Sequence, residues 1–309
     1  MQFRPSVRLK NNSCNRESIA RMTSMQLEPR HPDSRPPFLV MAHHRSGSNF
    51  LNDVLQSCAG IECLNEPLSM HTRFFREHDL VPWDAADHDP EWLHPSLRDD
   101  DTVRAFLHEL KAYLGESRRG RVIGFKDTCL FGKLGWLKAF LPELRVIFLR
   151  RDPRAIVSSV LRSKLTTLWS YSELVTAAFA REFPGYVSRV PRGDAALRTT
   201  EVVAMSVALR YELARRCLHH FPHLCLELAD ISREPARVVA ELVAFLGAEA
   251  AGDAEAFIRT RQAETRGGLF SSYRSRDDVE NGWREHLGEA QLALIDEVQA
   301  AVRATLPTD

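Results

Sequence analysis

The 309-residue sequence predicts an α/β fold of three layers, a central parallel sheet flanked by helices. Two observations carry that expectation. Short apolar runs recur along the chain, and each is followed by a stretch whose apolar residues have helical spacing. Strands buried on both faces read as near-continuous apolar runs, and the intervening helices supply the covering layers. A chain of this length buries a large core without disulfides or a structural metal. It equals about two average domains, although α/β folds of this size are often one unit.

Residues 1–36 precede the first run and differ from the rest of the chain. They hold Arg4, Arg8, Lys10, Arg16, Arg21, Arg30 and Arg35 against Glu17, Glu28 and Asp33, with no period. No apolar segment follows the basic start, so a secretory signal is not expected. The segment reads as a disordered basic extension, or as a start placed upstream of Met22 or Met25. Residues 37–309 then read as one domain.

The first run is FLVMA, 38–42, and Phe50, Leu51, Val54 and Leu55 form the helical stripe behind it. The second is RVIGFK, 121–126. The third is LRVIFLR, 144–150, followed by Ala155, Ile156, Val160 and Leu161. The fourth is HLCLEL, 223–228. Behind it Pro235 suits a first helical turn, Val238, Val239, Leu242, Phe245 and Leu246 mark a buried face, and Gly247 ends the helix. A last helix is expected over about 283–304, with Trp283, Leu287, Leu294, Ile295, Val298 and Val302 on one side. The stretch 73–100 reads as a long surface excursion. Together with 165–200 it is expected to wall a substrate pocket, where Trp169, Tyr171 and Phe183 stack on a ligand or fill core.

Composition excludes several classes. Lys plus Arg and Asp plus Glu number 41 each, so the chain is neutral. That argues against a nucleic-acid coat or a polybasic membrane binder, and no apolar run approaches the ~18 residues of a membrane span. The cysteines Cys14, Cys58, Cys63, Cys129, Cys217 and Cys225 are scattered without a CxxC, which suits small buried hydrophobes or free thiols in a reducing, cytoplasmic setting. No HExxH, His/Cys cluster or repeated Asp pattern marks a metal site.

Two segments carry chemistry. FLVMA runs straight into HHRSGSNF and a helix. Strand, tight loop and helix aim backbone N–H groups and a helix dipole at an anion. Gly47 permits close backbone approach, Ser46 and Ser48 offer hydroxyls, and Arg45 sets a fixed charge at the mouth. The GxxxxGK[ST] pattern of a nucleoside triphosphatase is absent, so a single phosphate or sulfate suits the loop; taken alone it is equally an ordinary helix N-cap. The second segment is RRDPRAIVSSVLRSK. Between Arg145 and Lys164 six basic residues face one acid, Asp152. Arg151 stands where the run leaves the sheet, at the carboxyl edge where open α/β sheets bind ligands. Ser159 lies about two helical turns further on. A guanidinium and a hydroxyl so placed can grip one phosphate from two sides. A solvated helix start accounts equally well for Arg154, Arg162 and Lys164.

Together, FLVMAHHRSGSNFLNDVL and RVIFLRRDPRAIVSS resemble the sulfotransferases that use 3'-phosphoadenosine 5'-phosphosulfate (PAPS). The resemblance runs over about 38–303, through LELADISREPARVVAELVAFLG and NGWREHL, and leans toward bacterial, carbohydrate-sulfotransferase-like members. It implies a P-loop-like three-layer fold and PAPS as co-substrate, with adenosine 3',5'-bisphosphate (PAP) as product and no metal. Arg45, Ser46, Gly47, Ser48 and Asn49 match the loop that cradles the 5'-phosphosulfate, and Phe50 closes that set. Cytosolic members often carry Lys where Arg45 stands; many bacterial and Golgi-type members carry Arg. Arg151 and Ser159 match the pair that holds the 3'-phosphate. Arg274 and Arg276 stand near the basic run that other members bring to that phosphate, although their Arg-Lys-Gly run is missing.

The implied reaction is in-line transfer of a sulfuryl group to an acceptor hydroxyl or amine, on a small molecule or a glycan. A sulfuryl group carries less charge than a phosphoryl group, so cationic side chains and amides suffice. Arg45 is the candidate to stabilise the leaving group, and Lys126 in GFKD points to the same sheet edge or pairs with a neighbour such as Asp127. Glu66 in CLNEPL is the chosen base, since similar Glu–Pro segments occur in carbohydrate sulfotransferases; Ser69 follows where some relatives have another acid. Its rivals are His71, His43, His44 and Asp127. Two other readings compete: a nucleotide-dependent phosphotransferase, against which the missing metal ligands count, and a non-catalytic module for phosphorylated or sulfated ligands. A nucleic-acid binder fits poorly, because the positive charge is confined to one strand end.

Overall fold

A computed structural model of the chain describes residues 35–68, 80–93, 101–115, 121–163, 172–191, 193–248, 253–264 and 275–305. The first run forms β1 (Phe38–Ala42), and a five-residue loop leads to α1 (Ser48–Ser57) and then β2 (Ile61–Asn65). The short helix α2 (Leu80–Ala85) and α3 (Asp101–Gly115) precede β3 (Val122–Asp127). Next come α4 (Leu134–Phe140), β4 (Arg145–Arg150), α5 (Pro153–Ser163), α6 (Ser172–Glu182) and the long α7 (Ala195–Cys217). β5 (His223–Glu227) leads into α8 (Leu228–Arg233) and α9 (Pro235–Leu246). The described chain closes with α10 (Ala254–Ala263), α11 (Arg276–Glu280) and α12 (Glu289–Thr305).

The strands form one parallel sheet in the order β2-β3-β1-β4-β5. β1 is central and has side chains on both faces. Phe38, Val40 and Ala42 pack with Leu51, Leu55, Val238 and Leu242 from α1 and α9. Leu39 and Met41 pack with Phe106, Leu110, Phe125 and Leu137, under α3 and α4. A third apolar cluster joins α5, α6, α7 and α12. Fully buried parallel strands between helical layers account for the continuous apolar runs of the sequence.

The order of the sheet marks the edge where a ligand is expected. From β1 the chain crosses β3 to reach β2, whereas from β4 it goes the other way to β5. Strand order therefore reverses between β1 and β4, and ligands of open α/β sheets bind in the crevice outside the carboxyl ends at such a point. Ala42 pairs with Leu149, so the residues after β1 and after β4 leave the sheet side by side.

Four expectations need correction. β2 was not anticipated, because its short run IECLN is interrupted by Glu62. α7 was not anticipated either: Thr200 to Arg210 are buried without a break, so no polar face shows its period. The last helix begins at Glu289, not near 283; Trp283 and Leu287 are buried, but in the turns before it. Within the excursion 73–100, Trp83, Asp84, Asp87 and His88 are buried, so this part belongs to the interior rather than the surface. Phe183 fills core against Phe179, while Trp169 and Tyr171 lie outside the described residues.

Candidate active site

The loop after β1 is shaped by its backbone. Ser46 N–H donates to the His43 carbonyl at 3.0 Å, closing a tight turn. Gly47 caps α1 at φ 87°, a left-handed conformation that favours glycine, and a Cβ there would sit 2.8 Å from the Leu228 methyls. No side chain caps this helix and its first turn holds no acid. Its leading N–H groups therefore face the loop mouth, a geometry suited to an anion.

Among the described residues, the non-glycine positions with positive φ are Arg45 (68°) and Glu66 (50°). Such backbone costs on the order of 1–3 kcal/mol and persists where the surroundings enforce it, often at functional sites. The sequence points to both through their side chains. The structure adds that both carry strained backbone at the same sheet edge.

The two anion segments touch. Arg151 Nη1 donates to the Arg45 carbonyl at 2.8 Å, and Arg45 Nε donates to Ser159 Oγ at 3.0 Å. Arg45 thus reaches the serine that was expected to serve the opposite end of the donor. Arg150 pairs with Glu227 at 3.1 Å, and Arg154 pairs with Asp152 and stacks on Trp283. Glu227 thus offsets one charge of the basic excess read from the sequence, while Arg151 turns to the loop.

A second group forms where β3 ends. Lys126 is 1% exposed, and its ammonium donates to Asn49 Oδ1 at 2.8 Å and to Glu66 Oε1 at 2.7 Å. Thr128 Oγ1 donates to the same Glu66 oxygen at 3.3 Å. Lys126 pairs with Glu66 rather than with Asp127. Asp127 is fully buried and accepts N–H bonds from Leu68 (3.2 Å) and Cys129 (2.9 Å), which ties the turn that carries Glu66 to the loop after β3. Burial, and then the Glu66 carboxylate, push the Asp127 carboxyl up to about 7.

Behind the β1 loop lies a buried polar network that sequence reasoning missed. Arg210 of α7 donates to His44 Nδ1 at 3.0 Å and pairs with Asp87 at 3.2 Å, and Lys133 also pairs with Asp87. Ser206 lies 2.7 Å from His88 Nε2 and 3.5 Å from His43 Nε2. His43, His44 and His88 are all held well below the usual histidine range, first by burial and then by nearby charge, chiefly Arg210 for His43 and His88 and the neighbouring His43 for His44. No short motif joins residues so distant in sequence, and the features that could have been noticed were only charged residues inside apolar stretches.

The remaining predicted positions are peripheral or undescribed. Phe50 packs onto the cluster beneath α1. Arg276 is exposed at the start of α11 and bonds Glu280 at 2.9 Å, a carboxylate that Arg233 also holds. Those two arginines, Arg233 foremost, bring Glu280 down to about 2. Glu280 and Arg151 line one cleft of about 380 Å³, together with Arg154, Asp230 and Arg233. Arg274 and His71 lie outside the described residues.

A doubly anionic nucleotide suits this donor set: a guanidinium that reaches the loop from the end of β4, a second that reaches from the loop to α5, an uncapped helix start, and a glycine cradle with no room for a Cβ. A family model described as the sulfotransferase family matches residues 36–252. The chain belongs to the sulfotransferase family. It is a sulfotransferase, an enzyme that moves a sulfuryl group, and PAPS is the donor its family uses. No curated relative matches the sequence. Among solved structures, the sulfotransferase domain of the olefin synthase from Synechococcus PCC 7002 superposes with a TM-score of 0.50 at 17% identity, covering 92% of this chain and 100% of that one. It shares the fold. A sulfotransferase from Mycobacterium avium gives 0.45 at 12% identity, over 95% and 80% of the two chains. A mouse sulfotransferase complexed with PAP gives 0.46 at 14% identity, over 91% and 87%. Among the described residues, no helix is long and apolar enough to cross a membrane.

Proposed function

We propose that this sulfotransferase moves the sulfuryl group of PAPS to a hydroxyl, or an amine, of a carbohydrate or glycolipid. The observation that carries the site assignment is the Arg151–Arg45–Ser159 chain of contacts, which joins the two anion segments at the reversal of strand order. In this reading the Arg45 to Phe50 loop and the start of α1 hold the 5'-phosphosulfate. Arg151 and Ser159 hold the 3'-phosphate, with Arg276 at the rim.

Bound PAPS supplies a sulfuryl group on a phosphate that departs as PAP when the acceptor oxygen takes its place. Arg45 stabilises the negative charge that grows on the leaving phosphate. An ammonium has three donors, and Lys126 directs two of them at Asn49 and Glu66. Its third serves the sulfuryl oxygens, so the same contacts that orient Lys126 also aim the base. Glu66 takes the acceptor proton. The Lys126 and Thr128 bonds both fall on its Oε1, and its side chain is 30% exposed, which gives Oε2 to an incoming hydroxyl. The rivals are worse placed. Asp127 spends both oxygens on backbone N–H groups. His43 is buried between the His44 carbonyl and Ser206, and His44 Nδ1 faces Arg210.

The test is a mass-spectrometric screen for sulfated products with PAPS and a panel of sugars, glycolipids and amines, run with wild type and Glu66→Gln. A sulfated carbohydrate is expected from wild type. The variant should lose about 10²–10⁴ in kcat while its PAP affinity holds, as loss of a general base demands. Full activity of Glu66→Gln would hand the proton to another group. Sulfation of none but non-carbohydrate acceptors would refute the substrate class.

A further inference from the structure

The residue that carries the proposed 3'-phosphate contact is held by its main chain, and the group that holds it comes from α7. β4 pairs with β1 as far as Leu149 and with β5 as far as Arg150. The N–H and C=O of Arg151 therefore lie beyond both ladders, at a place that is half-buried. Main-chain groups in such a place need other partners. The Tyr211 hydroxyl supplies both. It accepts from Arg151 N–H at 3.0 Å and donates to the Arg151 carbonyl at 3.0 Å. The phenol is itself aimed by packing: its ring meets Phe148 edge-on at 5.5 Å, and the Arg150 guanidinium lies 5.9 Å from its centre.

One hydroxyl clamping both polar groups of one residue fixes φ and ψ on either side of the Cα. That sets the direction in which the Arg151 side chain departs toward the Arg45 carbonyl. Long side chains spend much of their interaction energy on rotamer entropy, so a fixed backbone is worth most where a guanidinium must meet a phosphate in one geometry. Burial pushes the phenol up to about 12, with the Arg151 main-chain bond working against it, so the hydroxyl keeps its proton through the neutral range. Arg210, the preceding residue, reaches the β1 loop through His44, so adjacent positions of α7 serve both halves of the crevice.

We infer that Tyr211 is a positioning residue for Arg151 and thereby sets the preference of this enzyme for nucleotides that carry a 3'-phosphate. The inference rests on Arg151 being the 3'-phosphate group. Calorimetric binding of PAP and of AMP, which lacks that phosphate, separates the two claims. Tyr211→Phe keeps the ring and loses both bonds. It should weaken PAP binding by about tenfold, the scale of one or two hydrogen bonds, and leave AMP binding unchanged. Arg151→Gln should abolish the preference for PAP over AMP. If Arg151→Gln abolishes the preference and Tyr211→Phe leaves it intact, the inference fails and the 3'-phosphate assignment stands. If Arg151→Gln keeps the preference, the assignment fails and the inference with it. Should Tyr211→Phe not fold, Phe148→Leu removes the ring that aims the phenol and carries the same test. A severalfold loss of the PAP preference supports the inference, and an unchanged ratio overturns it. A purely structural role would weaken PAP and AMP alike.

Discussion

At the scale of single residues, the β3 edge shows how a carboxylate can be indispensable without touching substrate. Asp127 is fully buried, and its two oxygens hold the backbone of Leu68, in the turn that carries Glu66, and of Cys129, in the loop after β3. Burial and the Glu66 charge raise its folded-state value from the ordinary 3.8 to about 7. The unfolded chain releases this proton near pH 4, whereas the folded protein keeps it to about pH 7. Below the lower value the contribution to stability is full, and it is lost as pH rises through the window, at no more than about 1.4 kcal/mol per pH unit. Asp127→Asn cannot ionise and should remove this slope, at the fixed cost of one acceptor. Denaturant midpoints of wild type and variant between pH 4 and 7 check this. Parallel curves would show that Asp127 is already charged in the folded protein.

At the scale of elements, the strand–loop–helix unit depends on one left-handed glycine. Replacing Gly47 by Ala puts a Cβ within 2.8 Å of the Leu228 methyls and forces an L-residue into φ 87°. The backbone term alone is worth about 1–2 kcal/mol. Gly47→Ala is expected to lower the denaturation midpoint by that order and to weaken PAP binding at least tenfold, because the α1 amides turn from the mouth. Leu228→Ala in the same background relieves the clash but not the backbone strain, so it should restore only part of the stability. Full recovery of PAP binding would show that φ at this position is not the constraint. This unit was legible in the sequence because all its information is local: FLVMA, HHRSG and the Leu51, Val54, Leu55 stripe are contiguous. The β4 edge was legible for the same reason. The pairing of Lys126 with Glu66 and Asn49 was only half legible, since each residue was a candidate but their contact joins three elements. Nothing local signals α7, whose middle is buried on all sides and therefore has no amphipathic stripe. With that helix went Ser206, Arg210 and Tyr211, the groups that brace both halves of the site.

At the scale of the whole molecule, the reversal of strand order places two segments more than a hundred residues apart beside each other, with Ala42 opposite Leu149. A ligand held at both strand ends links these segments in the folded state only, so it stabilises the protein by mass action. PAP at about 100 times its Kd should add about 2.7 kcal/mol, enough to raise Tm by several degrees. Hydrogen exchange locates the effect. PAP should protect the amides of both the β1 loop (43–50) and the start of α5 (151–160), because the proposed contacts lie on both. AMP, which has no 3'-phosphate, should protect the first segment more than the second. Protection by PAP of the β1 loop alone, with residues 151–160 exchanging as in the free protein, would mean that Arg151 and Ser159 face no ligand. Their contacts with Arg45 would then serve to hold the crevice together rather than to bind a nucleotide across it.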